Sequence, residues 1–139
     1  MELRYNDFLI SDDKSLIQID RVYELLKTTY WAKNRSKEIV DKTIENSLCF
    51  GVYKDDVLIG FARVITDYAA VYWLGDVVVD ERYRGQEIGK ALIDFITKHK
   101  QLESLLGLLG TKDASGLYEQ FGFKICGDIQ MYRLPNNAE

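Results

Sequence analysis

The feature that most constrains this chain is the run from Val71 to Ile96, VYWLGDVVVDERYRGQEIGKALIDFI. Val71 to Val79 is almost wholly apolar or aromatic and ends in β-branched residues. That pattern predicts a strand covered on both faces. The chain then turns through Asp80-Glu81-Arg82-Tyr83. From Ile88 the apolar positions Ile88, Leu92, Ile93 and Ile96 follow a helical period. A strand that feeds a glycine-bearing turn and then opens a helix can bind an anion. The first N–H groups of the helix lack internal partners, and its dipole favours negative charge there. Glycine lets a phosphate approach the backbone. By spacing alone, the segment Arg84-Gly85-Gln86-Glu87-Ile88-Gly89 reads equally as a structural turn or as a phosphate cradle.

The rest of the chain is divided by the same rules. Leu3 to Ile10 is expected as a first strand, followed by a turn at Ser11-Asp12-Asp13. Ile17, Val22, Leu25 and Leu26 mark a helix over Leu16 to Tyr30, with Ser15 as its cap. Tyr30 to Arg35 breaks the pattern. Ser36 caps a second helix, Lys37 to Asn46, with Val40 and Ile44 on one face. Leu48 to Tyr53 and Val57 to Ile65 form a hairpin around Lys54-Asp55-Asp56. After the central helix, Leu105 to Leu109 is expected as a strand, Asp113 as the cap of a helix over Ala114 to Gln120, and Lys124 to Leu134 as a last strand. The order is βααβββαβαβ. It predicts an α/β (α+β) chain with a single mixed, mostly antiparallel sheet flanked by helices, and one parallel pair at the central crossover.

The residues that carry a family likeness now stand together. VVVDERYRGQEIGKAL resembles motif A of the GNAT superfamily of N-acetyltransferases, whose signature is Gln/Arg-x-x-Gly-x-Gly/Ala. Leu117-Tyr118-Glu119-Gln120-Phe121-Gly122-Phe123 resembles that family's motif B, commonly Tyr-x-x-x-Gly-Phe. The element order matches the GNAT fold as well, so the resemblance covers nearly the whole chain, 1–139, read as a single acetyltransferase domain. It implies acetyl-CoA as cosubstrate, with the loop amides on its pyrophosphate.

Direct acetyl transfer to an amine needs a held cofactor, a deprotonated amine, a donor to the oxyanion, and a proton for the leaving thiolate. It needs no nucleophilic cysteine. The resemblance assigns cofactor binding to Arg84, Gly85, Gln86, Glu87, Ile88, Gly89 and Lys90. It places the backbones of Val77 and Val79 beside the pantetheine arm and gives Tyr118 the proton for the thiolate. Asp76, inside an apolar strand, is a general base, an anchor for a cationic substrate, or a structural acceptor; Asp67 and Glu45 are further carboxylate candidates. Trp31, Asn34, Arg35, Asp67 and Tyr68 fall on the connections that border the acceptor site in this fold. Glu87 stands where the family carries glycine. It is expected to take a helical φ and turn its carboxylate to solvent. A carboxylate aimed inward would instead suit a non-catalytic acyl-CoA-binding sensor or scaffold.

Composition narrows the partners. The formal charge of −4 argues against nucleic acid and is compatible with a cationic acceptor. The two cysteines, Cys49 and Cys126, lie in apolar runs and are expected as buried free thiols. No cysteine–histidine cluster predicts a metal. His99, between two lysines, is expected on a solvated face. With no apolar run of spanning length and no secretory segment, a cytoplasmic protein is expected, with a homodimer as one possible assembly.

Overall fold

The computed structural model describes residues 1–136. Six strands lie in the order of the chain: β1 Glu2–Tyr5, β2 Phe8–Ser11, β3 Leu48–Lys54, β4 Val57–Thr66, β5 Val71–Val79 and β6 Leu106–Leu108. All neighbours are antiparallel except β5 and β6, which run parallel with Tyr72 opposite Gly107. Among the described residues four α-helices accompany them: α1 Ile19–Leu26, α2 Lys37–Glu45, α3 Ile88–Thr97 and α4 Ser115–Glu119. The expected class therefore holds: a mixed, mostly antiparallel sheet flanked by helices.

Each face of the sheet has its own core. Leu92, Ile93 and Ile96 of α3 pack with Phe50, Val64 and Leu74 on one side. Val22, Leu25 and Leu26 of α1 and Val40 and Ile44 of α2 pack with Leu58, Phe61 and Val78 on the other. Fully burying one such aliphatic side chain contributes about 1.5–3 kcal/mol, so the two apolar stripes fix the helices on opposite faces.

The departures from expectation lie mostly at the two ends. Leu3 to Ile10 is a hairpin and not one strand, because Asn6 takes φ 53 and reverses the chain. The first helix starts three residues late. Asp13, not Ser15, caps a short 3-10 turn over Lys14–Leu16 by accepting from the Ser15 N–H, and α1 ends at Leu26. Ser36 does cap α2, accepting from the Ile39 N–H at 3.2 Å. Asp113 caps nothing. The hydroxyl of Thr111 accepts from the Ala114 N–H instead.

The expected last strand, Lys124 to Leu134, does not form. A 3-10 turn at Gly127–Ile129, with Gly127 at φ 66, interrupts it. Its apolar residues find no sheet edge, and Ile125, Ile129 and Met131 are exposed. Cys126 is exposed with them, whereas Cys49 is buried as expected and burial pushes its thiol up to about 11. His99 is also corrected. It is buried against Phe50, with Nε2 2.7 Å from Asp12 Oδ2. The observed order is ββααβββαβα.

One irregularity shapes the site. Phe61 pairs with Val78 and Arg63 with Gly75, so Asp76 and Val77 together face the single residue Ala62. This is a β-bulge, and Asp76 takes φ 53 within it.

Candidate functional site

A cavity of about 400 Å³ opens where β5 hands over to α3, lined by Val79, Tyr83, Arg84, Gly85, Glu87, Ile88, Gly89, Lys90 and Leu117. Ile88 is buried and anchors the helix start. A side chain at Gly85 or Gly89 would meet nothing within 4 Å, so both leave open approach to the backbone. Gly85 also needs its glycine, at φ 85. The N–H groups of the first turn of α3 have no partner within the helix. A concave loop with free amides, Arg84 and Lys90 suits a polyanion. Gln86 is exposed and lies outside the cavity wall.

Glu87 corrects one expectation and meets another. It is the N-cap of α3 at φ 61 and ψ 23, left-handed and not helical. A left-handed residue is what glycine provides most cheaply. The carboxylate nevertheless faces solvent, with its side chain 63% exposed and Oε1 3.3 Å from Lys90 Nζ.

The turn that delivers this loop is braced by Asp80, which in the sequence looks like a simple turn residue. Asp80 is buried at the end of β5. Its carboxylate accepts from Arg82 Nη2 at 2.8 Å and from Arg21 Nη2 of α1 at 3.0 Å. The Arg82 guanidinium, with Arg21 assisting, holds it well below the usual carboxylate range.

Tyr118 sits on α4, one residue beyond Leu117 of the cavity wall. Its ring packs edge-on against Phe123, with centroids 6.0 Å apart. Burial, with the nearby Tyr30 adding to it, pushes the phenol above its ordinary range, so the proton is held at neutral pH.

Asp76 collects residues far apart in the chain. Oδ1 accepts from Trp31 Nε1 at 2.9 Å. Oδ2 accepts from Arg35 Nη1 at 2.7 Å and from Arg63 Nε at 2.6 Å. Burial opposes ionisation of this carboxyl, but the two arginines more than offset it and hold it below its usual range. Of the other acceptor-site candidates, Trp31 and Arg35 are thus brought to the bulge. Asn34 is exposed. Asp67 is a turn residue whose Oδ1 accepts from the N–H groups of Ala69, Ala70 and Val71, and Tyr68 is exposed beside it at φ 59. Glu45 lies on α2, exposed, its carbonyl taken by Lys14 Nζ. Val77 and Val79 are half-buried at the bulge and just after it.

Sequence reasoning missed Arg63, Ser47, Tyr30 and Lys112. Arg63 looks like an ordinary outward residue of a hairpin strand. Only the pairing of β4 with the bulged β5 brings it to Asp76. Tyr30 stacks edge-on with Trp31 at 5.0 Å, and Lys112 Nζ lies 5.4 Å from the Tyr30 ring centre. The α1–α2 connection therefore meets the loop before α4.

A mixed sheet with a bulged central strand thus sets an open glycine loop at a helix start beside a half-buried tyrosine, an arrangement that suits a transferase acting on a phosphate-bearing cosubstrate. The sequence profile of the acetyltransferase (GNAT) domain matches residues 45–125. The chain belongs to the GNAT acetyltransferase family and is an N-acetyltransferase; the family uses acetyl-CoA as cosubstrate. It is 38% identical to a GNAT-family protein from Xanthomonas campestris pv. campestris, with a TM-score of 0.86 over 92% of this chain and 93% of that one. The aminoglycoside 6'-acetyltransferase type Ii structure superimposes with a TM-score of 0.70 at 26% identity, covering 85% of this chain and 84% of its own. Streptothricin acetyltransferase of Escherichia coli is 25% identical over 134 residues, 92% of this chain and 77% of the relative.

Proposed function

We propose that the protein moves an acetyl group directly from acetyl-CoA to an amine in a ternary complex, within one domain spanning 1–139. The observation that carries this reading is the shared wall: Leu117, next to Tyr118, closes the same cavity as Arg84 to Lys90. The anion loop and the proton donor therefore serve one site. The loop amides, Arg84 and Lys90 bind the pyrophosphate. The backbones of Val77 and Val79 flank the pantetheine arm at the bulge. Tyr118 gives its proton to the departing thiolate, which an uncharged phenol can do at neutral pH.

Asp76 has a different part from the base weighed for it in the sequence. A carboxylate already accepting from Trp31, Arg35 and Arg63 is a poor proton acceptor. It positions the acceptor-side residues around the bulge. Glu87, turned to solvent and paired with Lys90, no longer favours a non-catalytic module.

The test has two arms. Saturating acetyl-CoA should raise the melting temperature, because a ligand that binds only the native state stabilises it. CoA thiol should then appear when an amine panel is added. An unchanged melt would sink the cofactor assignment. Binding without thiol release on any amine would sink the transfer.

A further inference from the structure

A second cavity, of about 280 Å³, lies beside the Asp76 cluster, between α2 and the C-terminal half of β4. Its wall includes Ile39, Lys42 and Thr43 of α2, Ser47, and Arg63 and Ile65 of β4. No carboxylate lines it. That is unusual in a chain with a formal charge of −4.

Arg63 is the central group. Nε donates to Asp76 Oδ2 at 2.6 Å and Nη1 to Ser47 Oγ at 3.1 Å. Nη2 has no partner among the described residues. The side chain is only 13% exposed, so its fork is held in place before any ligand arrives. Asp76 does not cancel the positive charge here, because it is shared between Arg63 and Arg35. Lys42 adds a further cation with no ion-pair partner among the described residues. Ile39 and Ile65, each 48% exposed, give the same cavity an apolar surface.

A preorganised guanidinium and an ammonium on an apolar floor fit an organic anion. The position fits an acceptor. Arg63 pairs with Gly75, and the next two residues of β5, Asp76 and Val77, form the bulge. One arginine thus reaches from the cavity to the strand proposed to hold the reacting end of acetyl-CoA.

We propose that this cavity binds the anionic group, a carboxylate or a phosphate monoester, of a small amine acceptor. Arg63 Nη2 and Lys42 take the anion, and Ile39 and Ile65 cover the apolar body. The amine is left toward the bulge. This rests on the transfer reading above and stands against the cationic acceptor with which overall charge is compatible. Net charge describes the whole surface, whereas recognition depends on the local field.

The probes are matched amines that differ in one charge: leucine against leucinamide for the carboxylate, and glucosamine 6-phosphate against glucosamine for the phosphate. Each is titrated by calorimetry into the CoA-saturated full chain. The anionic member of at least one pair should bind about tenfold tighter or more, equal to about 1.4 kcal/mol, and the advantage should shrink as salt rises. Which pair shows it distinguishes carboxylate from phosphate. Lys42→Glu, at an exposed helix position, should abolish the preference and leave neutral amines and the acetyl-CoA melt shift unchanged. Lys42→Arg should keep it. Equal binding of both members of both pairs, or a preference untouched by Lys42→Glu, overturns the proposal. Binding is measured apart from turnover, so thiol release on neutral amines without anion preference removes only this inference. Anion preference without thiol release removes only the transfer reading.

Discussion

Arg63 Nε donates to Asp76 Oδ2 at 2.6 Å across the β-bulge between β4 and β5. Two residues that look unremarkable in the sequence, one on a hairpin strand and one in an apolar run, thereby become the centre of a buried polar cluster with Trp31 and Arg35. The bulge makes the contact possible. It inserts one extra residue in β5 and re-aims Asp76 toward the face covered by α1 and α2.

The first prediction follows from that pair. Asp76→Asn leaves Arg35 and Arg63 partly buried without their counter-charge. Breaking a buried pair from one side costs about 3–5 kcal/mol; partial exposure of Arg35 puts the expected loss at the low end of that range. Urea unfolding at pH 7 measures it. Residual transfer activity should keep the wild-type pH profile. A profile that loses its basic group would return Asp76 to the general-base role.

Glu87 is a second case. The left-handed backbone at φ 61 costs a non-glycine residue about 1 kcal/mol. Glu87→Gly should therefore be as stable as the parent or more so, while Glu87→Ala should be less stable than the glycine variant by about 1 kcal/mol. Acetyl-CoA affinity should change by less than about threefold, because the carboxylate faces solvent. A tenfold gain that fades as salt rises would show that Glu87 opposes the phosphates.

Tyr118→Phe keeps the ring packed on Phe123 and removes only the hydroxyl. Turnover should fall by about a hundredfold or more, with acetyl-CoA affinity and melting temperature nearly unchanged. Unaltered turnover with a good acceptor would reduce Tyr118 to a packing residue.

Acid should weaken the fold through Asp80 and Asp76. Both are held below their ordinary range when native. Such a carboxyl contributes stability that is fully present above its unfolded value, about pH 4, and is lost as the pH falls through its native value. The urea midpoint should therefore begin to fall at about pH 4 and keep falling as the pH is lowered further. Asp80→Asn should be less stable at pH 7 and should fall less steeply on acidification. Parallel curves for the variant and the parent would exclude Asp80 as a contributor.

Much of the fold was legible in the chain because its signals are local. The apolar period of α3, the Ser36 cap of α2 and the turn at Asp55-Asp56 each specify their own element through nearby atoms. The loop from Arg84 to Gly89 and its place at a helix start were readable for the same reason. Elements that need a distant partner were not. Lys124 to Leu134 carries strand-forming residues, but a strand exists only where an edge receives it, and Gly127 turns the segment instead. His99 looked solvated beside its lysines, and packing on Phe50 buried it. The backbone of Glu87 is set by the geometry of entry into α3, which its side chain does not announce. The sequence by itself determined the sheet-and-helix class, the glycine loop at the start of α3 and the tyrosine beside it, because periodicity, capping and motif spacing act over a few residues. Only the tertiary structure decided the cluster around Asp76. There the register of β4 against a bulged β5 brings Trp31, Arg35, Arg63 and Asp76 together, and charges separated by up to 41 positions interact only once the chain has folded.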